Sequence, residues 1–126
     1  MWIFTEDGFL SVVRHRHFPD RLLVRARVRE DLVRFCRAAA IPEDGILESG
    51  RYDYRFRVEV PEEVFIRSMV QTIKMLDYDN FKNRACHNPD DPPAVRRERA
   101  SAYHGVWHQL WELQRSAARE RREEAL

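Results

Sequence analysis

Lysine is nearly absent from this chain: Lys74 and Lys82 are the only two, so 20 of the 22 basic residues are arginine. Set against 21 acidic residues, they leave a formal net charge of only +1, which excludes a uniformly basic protein that coats polyanions. Long apolar runs are missing as well. The longest span four or five residues, against the ~20 needed to cross a bilayer, so no membrane association is expected. The opening Met1-Trp2-Ile3-Phe4-Thr5-Glu6-Asp7 has neither a basic n-region nor an apolar h-region, and no secretory leader is expected. Cysteine is scarce. Cys36 falls within an apolar helical stripe and Cys86 lies beside His87 in a polar segment, so no disulfide is predicted and a reducing, cytoplasmic setting is the expectation.

Enough remains to build a core. The chain has 126 residues, 44% apolar and 11% aromatic, which suits one globular domain rather than a disordered segment. The expected division is a single α+β domain over 1–114, followed by a charged and fraying helical tail over 115–126.

The strongest local signal is the run from Leu22 to Arg29. It alternates strictly, with Val24, Ala26 and Val28 on one face and Arg25, Arg27 and Arg29 on the other, as a half-buried strand requires. Glu30 and Asp31 then open a helix whose stripe is Leu32, Phe35, Cys36 and Ala39, ended by Pro42. A second alternating strand places Tyr54, Phe56, Val58 and Val60 on one face, with Arg55, Arg57 and Glu59 opposite. Pro61-Glu62-Glu63 open a second helix with a predicted buried stripe of Ile66, Met69, Val70, Ile73 and Leu76. Met1–Thr5 and Phe9–His15 read as further strands around the turn Glu6-Asp7-Gly8.

Val24–Leu32 laid on Phe56–Val64 gives a weak internal repeat: Val24 meets Phe56, Arg25 meets Arg57, Ala26 meets Val58 and Val28 meets Val60, and both copies run into two acids and an aliphatic residue. The physical reading is two strand–strand–helix units that bury their apolar strand faces together. The predicted fold is therefore α+β: an antiparallel sheet of four or more strands with two helices on one face. After the loop His87–Pro93, a long C-terminal helix begins near Ala94 or Val95. Its broad stripe of Tyr103, Val106, Trp107, Leu110, Trp111 and Leu113 is read as core, with a homodimer seam as the alternative.

The opening M-W-I-F-T-x-x-G-F-x-S-V-V, the V-R-A-R-V strand (Val24–Val28), D-Y-D-N-F-K (Asp77–Lys82) and Y-H-x-V-W-x-x-L (Tyr103–Leu110) cover most of the chain. Together the pattern resembles a group of uncharacterised small bacterial and phage-borne proteins. The likeness implies a free-standing domain and makes a phage-accessory or host-interaction role conceivable, but carries over no activity and no site residues.

Three constellations bear on function. Arg25, Arg27, Arg29, Arg55 and Arg57 share the strand face that no predicted helix covers. Planar guanidinium groups on a rigid sheet suit carboxylates and phosphates, although an ordinary solvated face would look the same. An acidic protein or a second copy of the chain is the preferred partner, alongside a phosphate-rich ligand. Nucleic acid ranks lower, because Tyr54 and Phe56 fall on the apolar face, away from the arginines. His104, His108 and Glu112 form a column with zinc-like spacing, and Cys86-His87 could add ligands, but neither H-E-x-x-H nor C-x-x-C is present and no cofactor is predicted. Asp77, Asp79, Lys82, Tyr103 and His104 carry acid–base groups without any phosphate loop or nucleophile elbow. Non-catalytic binding or regulation through the arginine face is the preferred function. A small metal- or acid/base-dependent hydrolase using Asp77–Lys82 with His104 and His108 is the alternative.

Overall fold

The computed structural model describes residues 1–126, which form two compact units, Met1–Ala85 and Cys86–Leu126. In the first unit, β1 (Trp2–Thr5), β2 (Gly8–Arg14) and β3 (Arg21–Ala26) form a meander that leads into α1 (Arg29–Ala38). A 3-10 turn at Glu43–Gly45, β4 (Leu47–Glu48), β5 (Phe56–Pro61), α2 (Glu62–Lys74) and α3 (Phe81–Ala85) follow. The sheet is antiparallel with five strands in the order β1-β2-β3-β5-β4, so the fold class agrees with the alternation read from the sequence.

The alternation decides which side is buried. Val12, Val24 and Val58 stand in one cross-strand row, Leu22 faces Val60 and Ala26 faces Phe56. These residues meet Leu32, Phe35 and Cys36 from α1 and Phe65 from α2 in one core. The two strands of the repeat are therefore neighbours. Their register, Val24 with Val58 and Ala26 with Phe56, is the one a local two-fold between the repeated segments would give.

A buried ion pair fastens the first hairpin to α1. The Asp31 carboxylate accepts the Phe9 N–H at 3.0 Å and the Arg34 guanidinium at 3.1 Å, while Arg34 Nε donates to the Asp7 carbonyl at 2.7 Å. Gly8, at φ +148°, passes so close that a Cβ there would overlap the Asp31 carboxylate. Glycine is required on both counts. At its other end α1 closes with Ile41 N–H donating to Cys36 C=O and Ala40 N–H to Arg37 C=O, a Schellman arrangement that forces Ala40 to φ +56°.

Several predicted details change. β3 stops at Ala26, and Val28 becomes the residue flanking α1, so Arg29 belongs to the helix rather than the strand. In α2 the buried positions are Phe65 and Ser68, whereas Ile66, Val70, Ile73 and Leu76 of the expected stripe are exposed. The helix is apolar around much of its circumference, and its largest ring fixes the rotation: Phe65 packs 5.8 Å from Phe35 and turns the aliphatic arc outward.

The second unit is dominated by α4 (Pro93–Glu124), which is helical through most of the expected tail. Its first turns are anchored by a buried triad. Arg99 grips Asp91 with Nε at 2.9 Å and a second nitrogen at 3.4 Å, and donates to the Tyr103 hydroxyl at 3.0 Å. Beyond Tyr103 the stripe read as core is exposed instead.

Candidate functional site

The sheet face opposite the core carries the chemistry. The register lines up Trp2, Ser11, Arg25, Arg57 and Leu47 in one row across all five strands, with Phe4 beside Phe9 in the row on one side. Val13, Leu23 and Glu59 make the row on the other side. Phe4 and Phe9 stack at 4.5 Å, and Trp2 meets Phe9 edge-on at 5.6 Å. Arginines thus emerge among aromatic rings.

Tyr54 is the main correction to the sequence reading. Alternation alone puts it on the apolar face with Phe56, but β5 begins only at Phe56. The segment before it bends, with Asp53 accepting the Tyr54 N–H at 2.9 Å, and the break in extension carries Tyr54 to the arginine face. Its ring, only 4% exposed, lies beneath two guanidinium groups, Arg25 at 4.5 Å and Arg27 at 4.3 Å. Burial pushes its hydroxyl pKa up, but hydrogen bonds with Ser11 and Arg27, the Arg27 charge and a hydrogen bond with Trp2 outweigh that, so it titrates below the usual tyrosine range.

The five predicted arginines have different fates. Arg25 donates to Ser11 Oγ at 2.8 Å, and Arg27 to the Asp53 carbonyl at 3.2 Å. Arg57 lies 3.5 Å from the Tyr52 ring centroid and makes no hydrogen bond or ion pair. Arg55 is engaged with Glu48 of the edge strand at 2.9 Å, and Arg29 stands exposed at the start of α1. Arg25, Arg27 and Arg57 are therefore brought together, while Arg29 and Arg55 are not part of the cluster.

Arg25 and Arg57 are direct cross-strand partners. Like charges so placed repel, no carboxylate reaches either guanidinium, and the Nε of each is buried without an acceptor. Two guanidinium groups of like charge thus stand side by side on this face with no carboxylate in ion-pair contact.

Next to Arg57 the face deepens into a groove of about 1000 Å³, floored by Val13 and Leu23 and walled by Tyr52 and Pro42. His15 is fixed at its rim. Its Nδ1 accepts the N–H groups of His17 and Phe18 at 3.0 and 3.2 Å, leaving Nε2 to donate to Glu59 at 2.9 Å.

Asp77 is exposed and bound by Arg84 at 3.0 Å, which also holds Glu6 at 3.0 Å. His104 and His108 lie on α4, in the other compact unit, and His108 reaches Glu112 only at 3.9 Å. No group of three or more His, Cys, Asp or Glu side chains is placed to hold a metal ion. The cysteines form no disulfide, and burial, with Glu43 adding to it, pushes the Cys36 thiol up to about 11.

Trp2, Phe4, Phe9, Ser11 and Tyr52 share this face or pack on its arginines, and the sequence reading did not single them out. The signal was available for the first four: a tight hairpin around Asp7 places Trp2 opposite Ser11, on the parity that continues to Arg25. The chain matches no family model, no curated protein and no solved structure.

Proposed function

We propose that this is a non-catalytic binding protein whose open sheet face takes a phosphate-rich partner, and that the partner is single-stranded nucleic acid. The observation that carries the reading is the Arg25–Arg57 cross-strand pair, two like charges side by side with no carboxylate in ion-pair contact with either. The surrounding rings favour nucleic acid over an acidic protein. Trp2 is 67% exposed and Tyr52 45%, so both offer faces on which bases can stack, while guanidinium groups between them meet phosphates. The net charge of +1 is compatible with this, because Arg25, Arg27 and Arg57 gather on one face whatever the balance of the whole chain.

Fluorescence anisotropy with labelled oligo-dT and oligo-U, set against a polyglutamate peptide of equal charge, tests the reading. Oligonucleotides should bind and polyglutamate should not. Removing both Arg25 and Arg57 as alanines should weaken binding at least tenfold and flatten its salt dependence by about 1.4 in log–log slope, at roughly 0.7 per phosphate contact. Trp2→Ala should cost about 1–3 kcal/mol, the worth of one stacked base. Equal binding of polyglutamate would shift the assignment to an acidic protein. Oligonucleotide binding unmoved by loss of both arginines would refute the site.

A further inference from the structure

The groove beside Arg57 carries a carboxylate whose two oxygens are each only half used. All of the groove's lining comes from the first unit, and Val13, Leu23 and Glu59 stand next to one another in a single row across β2, β3 and β5. Glu59 is fixed there by two neighbours. One of its oxygens accepts His15 Nε2–H at 2.9 Å, and Arg21 lies 3.5 Å from the other. His15 is itself held by the His17 and Phe18 N–H groups that its Nδ1 accepts, so the nitrogen facing Glu59 stays a donor. An ionised carboxylate has about four acceptor positions, and the two neighbours engage one on each oxygen. One position per oxygen is left, side by side, on a side chain that is 43% exposed.

The geometry points to a base pocket: the groove takes guanine from a bound single strand, and Glu59 reads its Watson–Crick edge. This rests on the assignment of the open face to single-stranded nucleic acid. Leu23 is next to Glu59 in the row and Val13 is next after it, at about 4.8 Å per strand, so a flat ring lying on this apolar floor meets the carboxylate with its edge. Tyr52 closes the side of the groove, its ring against the Arg57 guanidinium that serves the neighbouring phosphate. A volume of about 1000 Å³ is at the upper end for small-ligand sites, enough for a base with its sugar while the strand continues over the arginines. The carboxylate then selects among bases, because it can only accept. Of the four, guanine alone offers two adjacent donors, N1–H and N2–H, which match the two open positions as a guanidinium matches a carboxylate. Adenine and cytosine offer one amino group beside an acceptor nitrogen. Uracil sets carbonyl oxygens against the carboxylate.

Fluorescence anisotropy with labelled RNA pentamers that differ only in the central base tests the pocket. Against the all-uridine pentamer, one central guanine should tighten binding about tenfold, within the ~5–150-fold that one bidentate base contact supplies, and adenine or cytosine less than about threefold. Central inosine, which lacks the N2 amino group, should lose most of the guanine gain with the protein unchanged. Glu59→Gln keeps the length of the side chain and can still accept from His15, but it removes one of the two paired acceptors. In that variant, with its circular dichroism that of the parent, the guanine and uridine pentamers should agree within about twofold. Pentamers that bind alike whatever the central base, yet still depend on Arg25 and Arg57, would overturn the guanine pocket and leave the single-strand assignment standing. A guanine gain that survives both inosine and Glu59→Gln would overturn the part given to Glu59. No binding of any pentamer would overturn the pocket and the single-strand assignment together.

Discussion

Arg57→Glu should leave the protein about as stable as it was, or more so, while removing its capacity to bind a polyanion. The magnitudes follow from the register. Arg57 faces Arg25 directly across the β3–β5 ladder, and replacing a like-charged pair by an opposite one removes a repulsion and adds an attraction, each about 0.2–1 kcal/mol. Against this stands the loss of the Arg57–Tyr52 stack at 3.5 Å, worth about 0.5–1 kcal/mol for a half-buried guanidinium. The net effect is between about −0.6 and +1.5 kcal/mol, centred on a small gain, where an average substitution costs about 1 kcal/mol. Urea titration followed by circular dichroism at low salt measures it. The gain over Arg57→Gln should shrink at ~0.5 M salt, because part of it is screened electrostatics. Oligonucleotide affinity should fall by at least tenfold in the same variant. A loss of stability beyond about 1 kcal/mol, or binding that survives the charge reversal, would refute the view that the Arg25–Arg57 pair is held apart from acids for a ligand.

Asp31→Ala should destabilise the first unit by about 3–5 kcal/mol, because it strands the buried Arg34 charge and frees the Phe9 N–H; chemical denaturation checks this, and Asp31→Leu with Arg34→Met should recover much of the loss. Ala40→Gly should stabilise by about 0.5–1 kcal/mol, since the Schellman turn holds Ala40 at φ +56°, where glycine carries no Cβ penalty; a lower midpoint would contradict it. Cys36 should ignore a thiol reagent at pH 8 until the chain is unfolded, because burial keeps it protonated. Its thiol titrates at about 11 in the folded chain against 9.0 when unperturbed, so its contribution is complete below pH 9 and is lost as the pH rises from 9 towards 11. Stability that rises through that window would contradict the assignment.

Much of the architecture was legible in the residues. Strict alternation from Leu22 to Ala26 and from Phe56 to Val60 required two strands with one buried face each, and acids at the starts of α1 and α2 fixed where each strand gives way to helix. What escaped was set by events alternation does not encode. The bend at Asp53 carried Tyr54 to the arginine side and so removed the objection to nucleic acid that its expected place on the apolar face had raised. In α2, two apolar arcs competed, and the choice fell to Phe65 because Phe35 waits opposite it. The Asp91–Arg99 grip joins a loop to a helix across eight residues, a spacing no periodicity announces. Within the candidate site, Arg25, Arg27 and Arg57 followed from parity, whereas Tyr52 depended on loop geometry and Arg55 was claimed by Glu48.

The strand order also sets the sequence of folding events. Ser11 and Arg25, linked across β2 and β3, are 14 residues apart, while Arg25 and Arg57 are separated by more than twice that length of chain. Closing β3 on β5 therefore carries the larger loop entropy and follows the meander. Guanidinium repulsion is first met in that late step. If the proposed polyanion binds this face, it should ease the docking of β5 and so hasten folding as well as stabilise the folded chain.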